Sequence, residues 1–370
     1  MYNVLVFGTG KVSDILETSL NNDVNIVAYV DNDKSKWKKL KNCKCIIQPN
    51  EIWKYKFDYI LIASQFNEEI YYQLLNMGID SDKIFEYYKF YINYYNYYKT
   101  NMDEFLNKYK KSVEIIATGI SYANTGFRTD ICCKNAYSFT WGSQDIFYDY
   151  YTVKFLLEKF PNKVSDLKHV LIGICYYSFQ YDMSLSSMRS KVPLYYSVLK
   201  EAHNFKDIDK AYEAYELNKN IANVVLKKNN DGTYDLKSDI QTSIHYDDKW
   251  NIGKKQAELD CNKNYPETVK ENTQIFKDYL QLLKDYNIKP IVVVFPASKY
   301  YTTYFSKRIE DEFHSIINGV RKEYDFQYID YFRLDLFEDE DFADVSHLND
   351  KGAEKLTKLL NEEIDWRDIS

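Results

Sequence analysis

At 370 residues the chain is long enough for two domains, each with its own core. Lys and Arg number 48 against 55 Asp and Glu, a formal charge of −7 with both signs interspersed; the one basic run, Lys34 to Lys44, reads as a solvated loop, which argues against a nucleic-acid partner. No apolar run approaches membrane-spanning length, and Val4-Leu5-Val6-Phe7 enters a strand at once with no room for a signal peptide, so a cytoplasmic protein is expected.

The first 88 residues read as a small parallel-sheet module. Val4 to Phe7 is a strand, Gly8-Thr9-Gly10 a turn, and Lys11 to Leu16 the start of a helix. A second strand, 25–30, ends in Asp31, at about the distance where nucleotide-binding βαβ units place a ribose-binding acid. Ser13 stands where a dinucleotide fingerprint has its third glycine. The element 57–64, a helix over 67–77 and a strand at 83–87 complete the sheet. The module is too short for both halves of a dinucleotide fold, so a nicotinamide-dependent redox enzyme is not expected. It looks like the N-terminal modules of bacterial sugar acyltransferases and NDP-sugar-modifying enzymes. That resemblance implies a nucleotide or nucleotide-sugar held by Gly8, Gly10 and Asp31, or a module that has lost its ligand and serves assembly. The plainer alternative is that both glycines only permit a tight turn.

Residues 89–110, rich in Tyr and Lys, read as a helical connector. Tyrosine is abundant throughout, at 37 residues, so aromatic clusters carry little evidence for carbohydrate stacking. The six cysteines, Cys43, Cys45, Cys132, Cys133, Cys175 and Cys261, lack zinc-site spacing with histidines and read as reduced structural thiols; no metal is expected.

From about Lys111 a second domain begins. Val113 to Ala117 reads as a buried strand, followed by a turn, Thr118-Gly119-Ile120-Ser121-Tyr122-Ala123-Asn124. A strand ending in Gly-x-Ser sets a hydroxyl at the carboxyl edge of a sheet, where open α/β folds bind ligands. Helices over 143–160 and 266–286 and buried strands at 169–173 and 289–295 follow. The last strand runs into Pro296 to Tyr301, which makes Lys299 and Tyr300 candidate substrate contacts. The stretch 183–265 reads as an insertion over the active-site edge, a lid or part of the pocket. Near the end comes Asp344-Val345-Ser346-His347-Leu348-Asn349. A serine hydroxyl needs a histidine to take its proton, and that histidine needs a carboxylate to fix its tautomer. An Asp three residues before a His supplies this locally, the plainer alternative being a helix cap beside an ordinary histidine.

Taken in order, Gly-Ile-Ser at 119–121 and Asp-x-x-His at 344–347 resemble the SGNH (GDSL-like) hydrolase superfamily over residues 111–366. The resemblance implies a flavodoxin-like three-layer α/β/α domain with a helical insertion, Ser121 as nucleophile, His347 as base and Asp344 as its partner. Gly-Ile-Ser in place of Gly-Asp-Ser is similar to the alginate-acetylating and teichoic-acid D-alanylation branches. Gly142 sits where the second family block has an oxyanion-hole glycine, beside the Ser121 amide. The third block departs from the pattern, with Cys175 at the place of its asparagine: either Asn124 or Gln144 replaces that donor, or the hole has two members, or the site is catalytically weak. The function so implied is an esterase or O-acyltransferase of a carbohydrate or surface-glycan precursor that requires no cofactor. A D-alanyl transferase without net hydrolysis, and a non-catalytic scaffold, are the alternatives. Partners expected are a small carbohydrate or acyl substrate and a homo-oligomer or glycan-pathway enzyme.

Overall fold

The computed structural model describes residues 1–236 and 248–366. Part of the 183–265 stretch, residues 237–247, and the tail 367–370 lie outside the described residues. The chain divides into two compact units. One comprises Met1–Tyr98, Arg189–Leu194 and Phe205–Ser243, and the other Lys99–Met188, Tyr195–Asn204 and Ile244–Ser370.

The first unit is built on β1 (Tyr2–Phe7), β2 (Val24–Val30), β3 (Leu40–Lys41), β4 (Lys44–Ile47), β5 (Tyr59–Ile62) and β6 (Ile84–Glu86), in the order β3-β4-β2-β1-β5-β6. All neighbours are parallel except β3 and β4. The apolar runs of β1 and β5 are buried on both faces, as parallel strands under helices require. Alternate residues explain the two cores: Val4 and Val6 point to one and Leu5 and Phe7 to the other. The basic run therefore contains a short hairpin, β3–β4, where the sequence suggested only loop.

The helix Ile208–Val225 also belongs to this unit. Ile221, Ala222 and Val225 enter the core that holds Val4 and Val6, and Asn218 Oδ1 accepts the Glu86 N–H at 2.8 Å. Much of the stretch read as a lid thus completes the N-terminal sheet module.

The second unit carries β7 (Ile115–Gly119), β8 (Ala136–Ser138), β9 (His169–Ile174), β10 (Lys289–Val294) and β11 (Gln327–Asp330), all parallel, in the order β11-β10-β9-β7-β8. Numbered within the unit this is 2-1-3-4-5 read from the other edge, the flavodoxin-like doubly wound order. The strands are sandwiched between helices in a three-layer α/β/α arrangement. Ile146–Lys159 packs with Pro266–Asp285, and Ser121–Gly126 with Asp350–Glu363. The order reverses between β7 and β9, and ligands of such sheets bind at the carboxyl ends beside that reversal. Gly119 and Gly173 are the carboxyl-end partners there.

Candidate active site

β7 runs two residues further than its apolar pattern suggests, and Ser121 opens a helix, Ser121–Gly126, rather than a loop. The strand-to-helix step needs glycine. Gly119 has φ +137°, and a Cβ there would fall 2.3 Å from the Gly173 carbonyl oxygen. Across the sheet edge, the segment 343–347 closes on itself, with the Ala343 N–H donating to the His347 carbonyl at 2.8 Å. Asn349 then caps the Asp350–Glu363 helix by accepting the Gly352 N–H at 3.0 Å, and Gly352 leaves room for the Asp341 carbonyl, which a Cβ would meet at 2.1 Å.

These two elements bring three side chains together. His347 Nε2 lies 2.8 Å from Ser121 Oγ, and His347 Nδ1 lies 2.9 Å from Asp344 Oδ2. Asp344 Oδ1 accepts the backbone N–H groups of Ser346 and His347, each at 2.8 Å. Burial pushes the Asp344 carboxyl up, but the His347 ring and those two N–H donors outweigh it and hold it at about 2. It is a carboxylate at any ordinary pH. Ser298, which the sequence did not single out, buttresses the turn by donating its hydroxyl to the Val345 carbonyl at 2.6 Å. Tyr122 stacks its ring on the imidazole, centroids 4.9 Å apart and planes 21° from parallel. A hydroxyl on an imidazole whose far nitrogen faces a fixed carboxylate is the arrangement that makes a nucleophile at neutral pH.

The segment carrying Gly142 is drawn to the same strand end. The Trp141 N–H donates to the Gly119 carbonyl at 3.0 Å, and Ser143, at φ +69°, lines the same cleft as Ser121. The Ser121 N–H, first in its helix, has no acceptor inside that helix. Neither candidate for a third donor is available. Asn124 Nδ2 donates to Thr140 O at 3.1 Å and Thr140 Oγ1 at 3.3 Å, while Gln144 Nε2 is held by Phe139 O and Asp149 Oδ1. Both amides pin the Gly142 segment instead. Asp149, fully buried, also takes the Gly119 N–H, and burial drives its carboxyl well above the usual range. Cys175 occupies the third block as a buried thiol that burial raises to about 12; its backbone N–H donates to Ser178 Oγ at 2.9 Å.

A cleft of about 440 Å³ opens over Ser121, lined among others by Tyr177, Tyr181, Asp182, Asp260, Lys263 and Tyr265. The two ends of the expected insertion do line the site, through Leu185 to Met188 and through Leu259, Asp260, Lys263 and Tyr265. Lys299 and Tyr300 do not. Tyr300 donates to Asp339 Oδ2 at 2.5 Å, Lys299 Nζ lies 3.5 Å from Asp339 Oδ1, and Tyr300 borders a separate small cavity beside Asp344. The acid Asp339 claims both side chains, a partner that strand-end position alone does not reveal.

Behind the cleft, His203 Nδ1 is 3.1 Å from Asp182 Oδ1 and 3.5 Å from Asp145 Oδ2, with its side chain only 2% exposed. The ring nitrogens are off the hydrogen-bonding direction, so the attraction is charge pairing. This trio has metal-ligand spacing. However, Asp182 Oδ1 already accepts both the N–H and the hydroxyl of Ser184, and Asp145 accepts the N–H groups of Tyr148 and Met183. The donors present suit an ion cluster. Burial would lower the imidazole, but the two carboxylates outweigh it and raise it to about 10, while Asp182 is held at about 2. A raised histidine gives stability that is complete below its unfolded value of about 6.5 and lost as pH climbs towards 10. His203→Gln should lower stability at pH 6 by on the order of 3 kcal/mol and flatten the fall in melting temperature between pH 6.5 and 10. Parallel melting curves for the two proteins over that range would remove the cluster from the account.

In the first unit, Gly8 has φ +109° and a Cβ there would meet the Ala63 carbonyl at 2.5 Å, so this glycine is needed for packing against β5. Gly10 caps the Lys11–Ser19 helix, and a Cβ on it would meet nothing within 4 Å. Asp31 accepts from the Thr9 hydroxyl at 2.5 Å and the Asp33 N–H at 2.9 Å, and pairs with Lys36 at 3.0 Å.

Residues 1–85 match the family model described as C2185-like, N-terminal. A sequence search of curated proteins gives no match. Among solved structures, a putative platelet activating factor from Streptococcus pneumonia is 10% identical, with 80% of this chain and 98% of that chain covered and a TM-score of 0.38. A GDSL-like lipase from Bacteroides thetaiotaomicron is 11% identical, with 72% and 98% covered and a TM-score of 0.33. The UDP-D-quinovosamine 4-dehydrogenase of Vibrio fischeri is 22% identical, with 20% of this chain and 70% of that one covered and a TM-score of 0.18.

Proposed function

We propose that this protein is a serine-dependent esterase or O-acyltransferase that acts on a carbohydrate or surface-glycan precursor through an acyl-Ser121 intermediate. The observation that carries the reading is the continuous contact Ser121 Oγ, His347 Nε2, His347 Nδ1, Asp344 Oδ2 at 2.8 and 2.9 Å. In the first half-reaction Ser121 Oγ attacks the ester carbonyl as its proton passes to His347 Nε2. The N–H groups of Ser121 and Gly142 stabilise the resulting oxyanion. Collapse of the intermediate breaks the ester bond, and His347 returns the proton to the departing alkoxide. Water or a sugar hydroxyl then attacks the acyl-serine by the same route in reverse. Asp344 keeps the imidazole in the tautomer that presents Nε2 to the serine and stabilises the imidazolium. The cleft lining mixes hydroxyl groups with the apolar side chains of Ile120, Leu185, Met188 and Leu259, a wall that can take a sugar together with its acyl group.

A fluorophosphonate probe tests the reading, because it reacts only with an activated serine. Mass spectrometry should find the label on Ser121. Absence of label on the folded protein would favour a scaffold.

For the N-terminal unit the proposal is a nucleotide or nucleotide-sugar, its phosphates above the open helix terminus at Gly10. Asp31 would accept from the ribose only by exchanging its Thr9 or Lys36 contact. Titration calorimetry with UDP-, CDP- and GDP-sugars should show binding that Gly10→Trp weakens at least tenfold. Heat-silent titrations with all three would assign the unit to assembly.

A further inference from the structure

The Ser121 cleft contains a charged pair that the acyl chemistry does not use. Asp260, near the end of the Lys249–Cys261 helix, and Lys263 just beyond it border the cleft together with Ser121 and Tyr177. Asp260 Oδ2 is anchored by the Tyr301 hydroxyl and by Gln256 Nε2, each at 2.9 Å. Its Oδ1 has Lys263 Nζ 3.9 Å away. Lys263 is anchored in turn. Its ammonium donates to the Asp260 carbonyl at 2.9 Å and the Leu259 carbonyl at 3.4 Å, and lies 4.7 Å from the centre of the Tyr177 ring. Two of its three N–H bonds are thus directed into the protein.

The other charged and amide side chains of the cleft wall, Asp182 and Gln180, are bound elsewhere, as is the Tyr181 hydroxyl. Asp182 is taken by His203 and Ser184, Gln180 holds Glu312 and the Tyr265 N–H, and Tyr181 donates to the Ser143 carbonyl. Among the described residues, Asp260 Oδ1 and the third Lys263 N–H are the charged acceptor and donor of the cleft wall that remain to meet a ligand.

We infer that Asp260 and Lys263 form the subsite that selects a neutral, polyhydroxylated acyl carrier. This rests on the esterase reading above and narrows its substrate class. A cationic ligand drawn to Asp260 meets the Lys263 ammonium, and an anion drawn to Lys263 meets the carboxylate. A vicinal diol suits both at once, with one hydroxyl donating to Oδ1 and its neighbour accepting from Nζ. The subsite also adjoins the reacting groups. Tyr301, which donates to Asp260, is hydrogen-bonded to the Tyr122 hydroxyl, and the Tyr122 ring stacks on His347.

The test compares two substrates on the full chain: p-nitrophenyl acetate, which has no diol, and an O-acetylated methyl glycoside. Asp260→Asn and Lys263→Met should each lower kcat/KM for the acetylated glycoside by about 10- to 100-fold, the usual worth of a hydrogen bond to a charged group. Turnover of p-nitrophenyl acetate, which has no diol to bind there, should fall less than turnover of the glycoside, so the ratio of the two kcat/KM values shifts against the glycoside. Methyl glucoside should compete better with the wild type than glucuronate or glucosamine, and Asp260→Asn should shift the preference towards glucuronate. Equal losses on both substrates, or a wild-type preference for a charged sugar, would overturn the subsite. Should the wild type hydrolyse neither ester, the esterase reading fails separately. Ligand-observed NMR with the same three sugars then decides: methyl glucoside binding that Asp260→Asn abolishes sustains the subsite, and no binding by any of them ends it.

Discussion

Ser121→Ala and His347→Ala are each expected to lower turnover of short acyl esters by at least ~10⁴-fold, with the fold retained. The two residues act as one unit, because the hydroxyl is a poor nucleophile without the imidazole and the imidazole has no bond to make without the hydroxyl. Ser121→Ala removes only a hydroxyl, whereas His347→Ala also gives up the Tyr122 stack and the bond to Asp344, so the histidine variant should melt somewhat lower while staying folded. Asp344→Asn should cost less than loss of the nucleophile, because the oxyanion donors and the cleft remain. Measurement of p-nitrophenyl acetate hydrolysis settles the matter. Comparable rates in wild type and both alanine variants would make the geometry a coincidence.

The second large effect concerns the backbone under the serine. Gly119→Ala should destabilise the protein by on the order of 3 kcal/mol and reduce turnover of what remains folded, because the new Cβ combines a left-handed φ with a backbone clash. At φ +137° and 2.3 Å from the Gly173 carbonyl, it can be accommodated only by parting β7 from β9, and Ser121 moves with β7. Gly319→Ala provides the contrast: it lies within the Lys307–Val320 helix, its Cβ would meet nothing within 4 Å, and alanine there should stabilise by up to about 1 kcal/mol. Urea denaturation midpoints measure both. A Gly119→Ala midpoint equal to the wild type's would show that the strand end yields more easily than the geometry implies.

What could be seen in the sequence beforehand follows the range of the forces involved. Asp344 and His347 are three residues apart and their contact is made within one turn, so residue type and spacing were sufficient. Ser121 was legible because a strand period followed by Gly-x-Ser fixes where a hydroxyl emerges. The helix Pro266–Asp285 and strand β10 were marked by their own apolar periods. Short polar strands were not: β3 and β8 span two and three residues, too few for any period to register. The association of Ile208–Val225 with the N-terminal sheet depends on apolar contacts with residues about two hundred positions away, which leave no local trace. Asn124 and Gln144 carry the right amide for an oxyanion hole, but only the fold shows their donors bound to Thr140 and Phe139. Tyr122, Asp260 and Lys263 had no signal among so many tyrosines and charges.

The serine and histidine that meet at 2.8 Å are 226 positions apart. A ribosome adding 5 to 20 residues per second needs roughly ten to forty-five seconds to cover that distance. Through that interval the growing chain carries the Ser121 hydroxyl without His347. Histidine and aspartate then emerge together, within one turn, so the last segment acts as a single key. On the esterase reading proposed above, the order of synthesis keeps Ser121 from its base until the sheet that shelters it is complete.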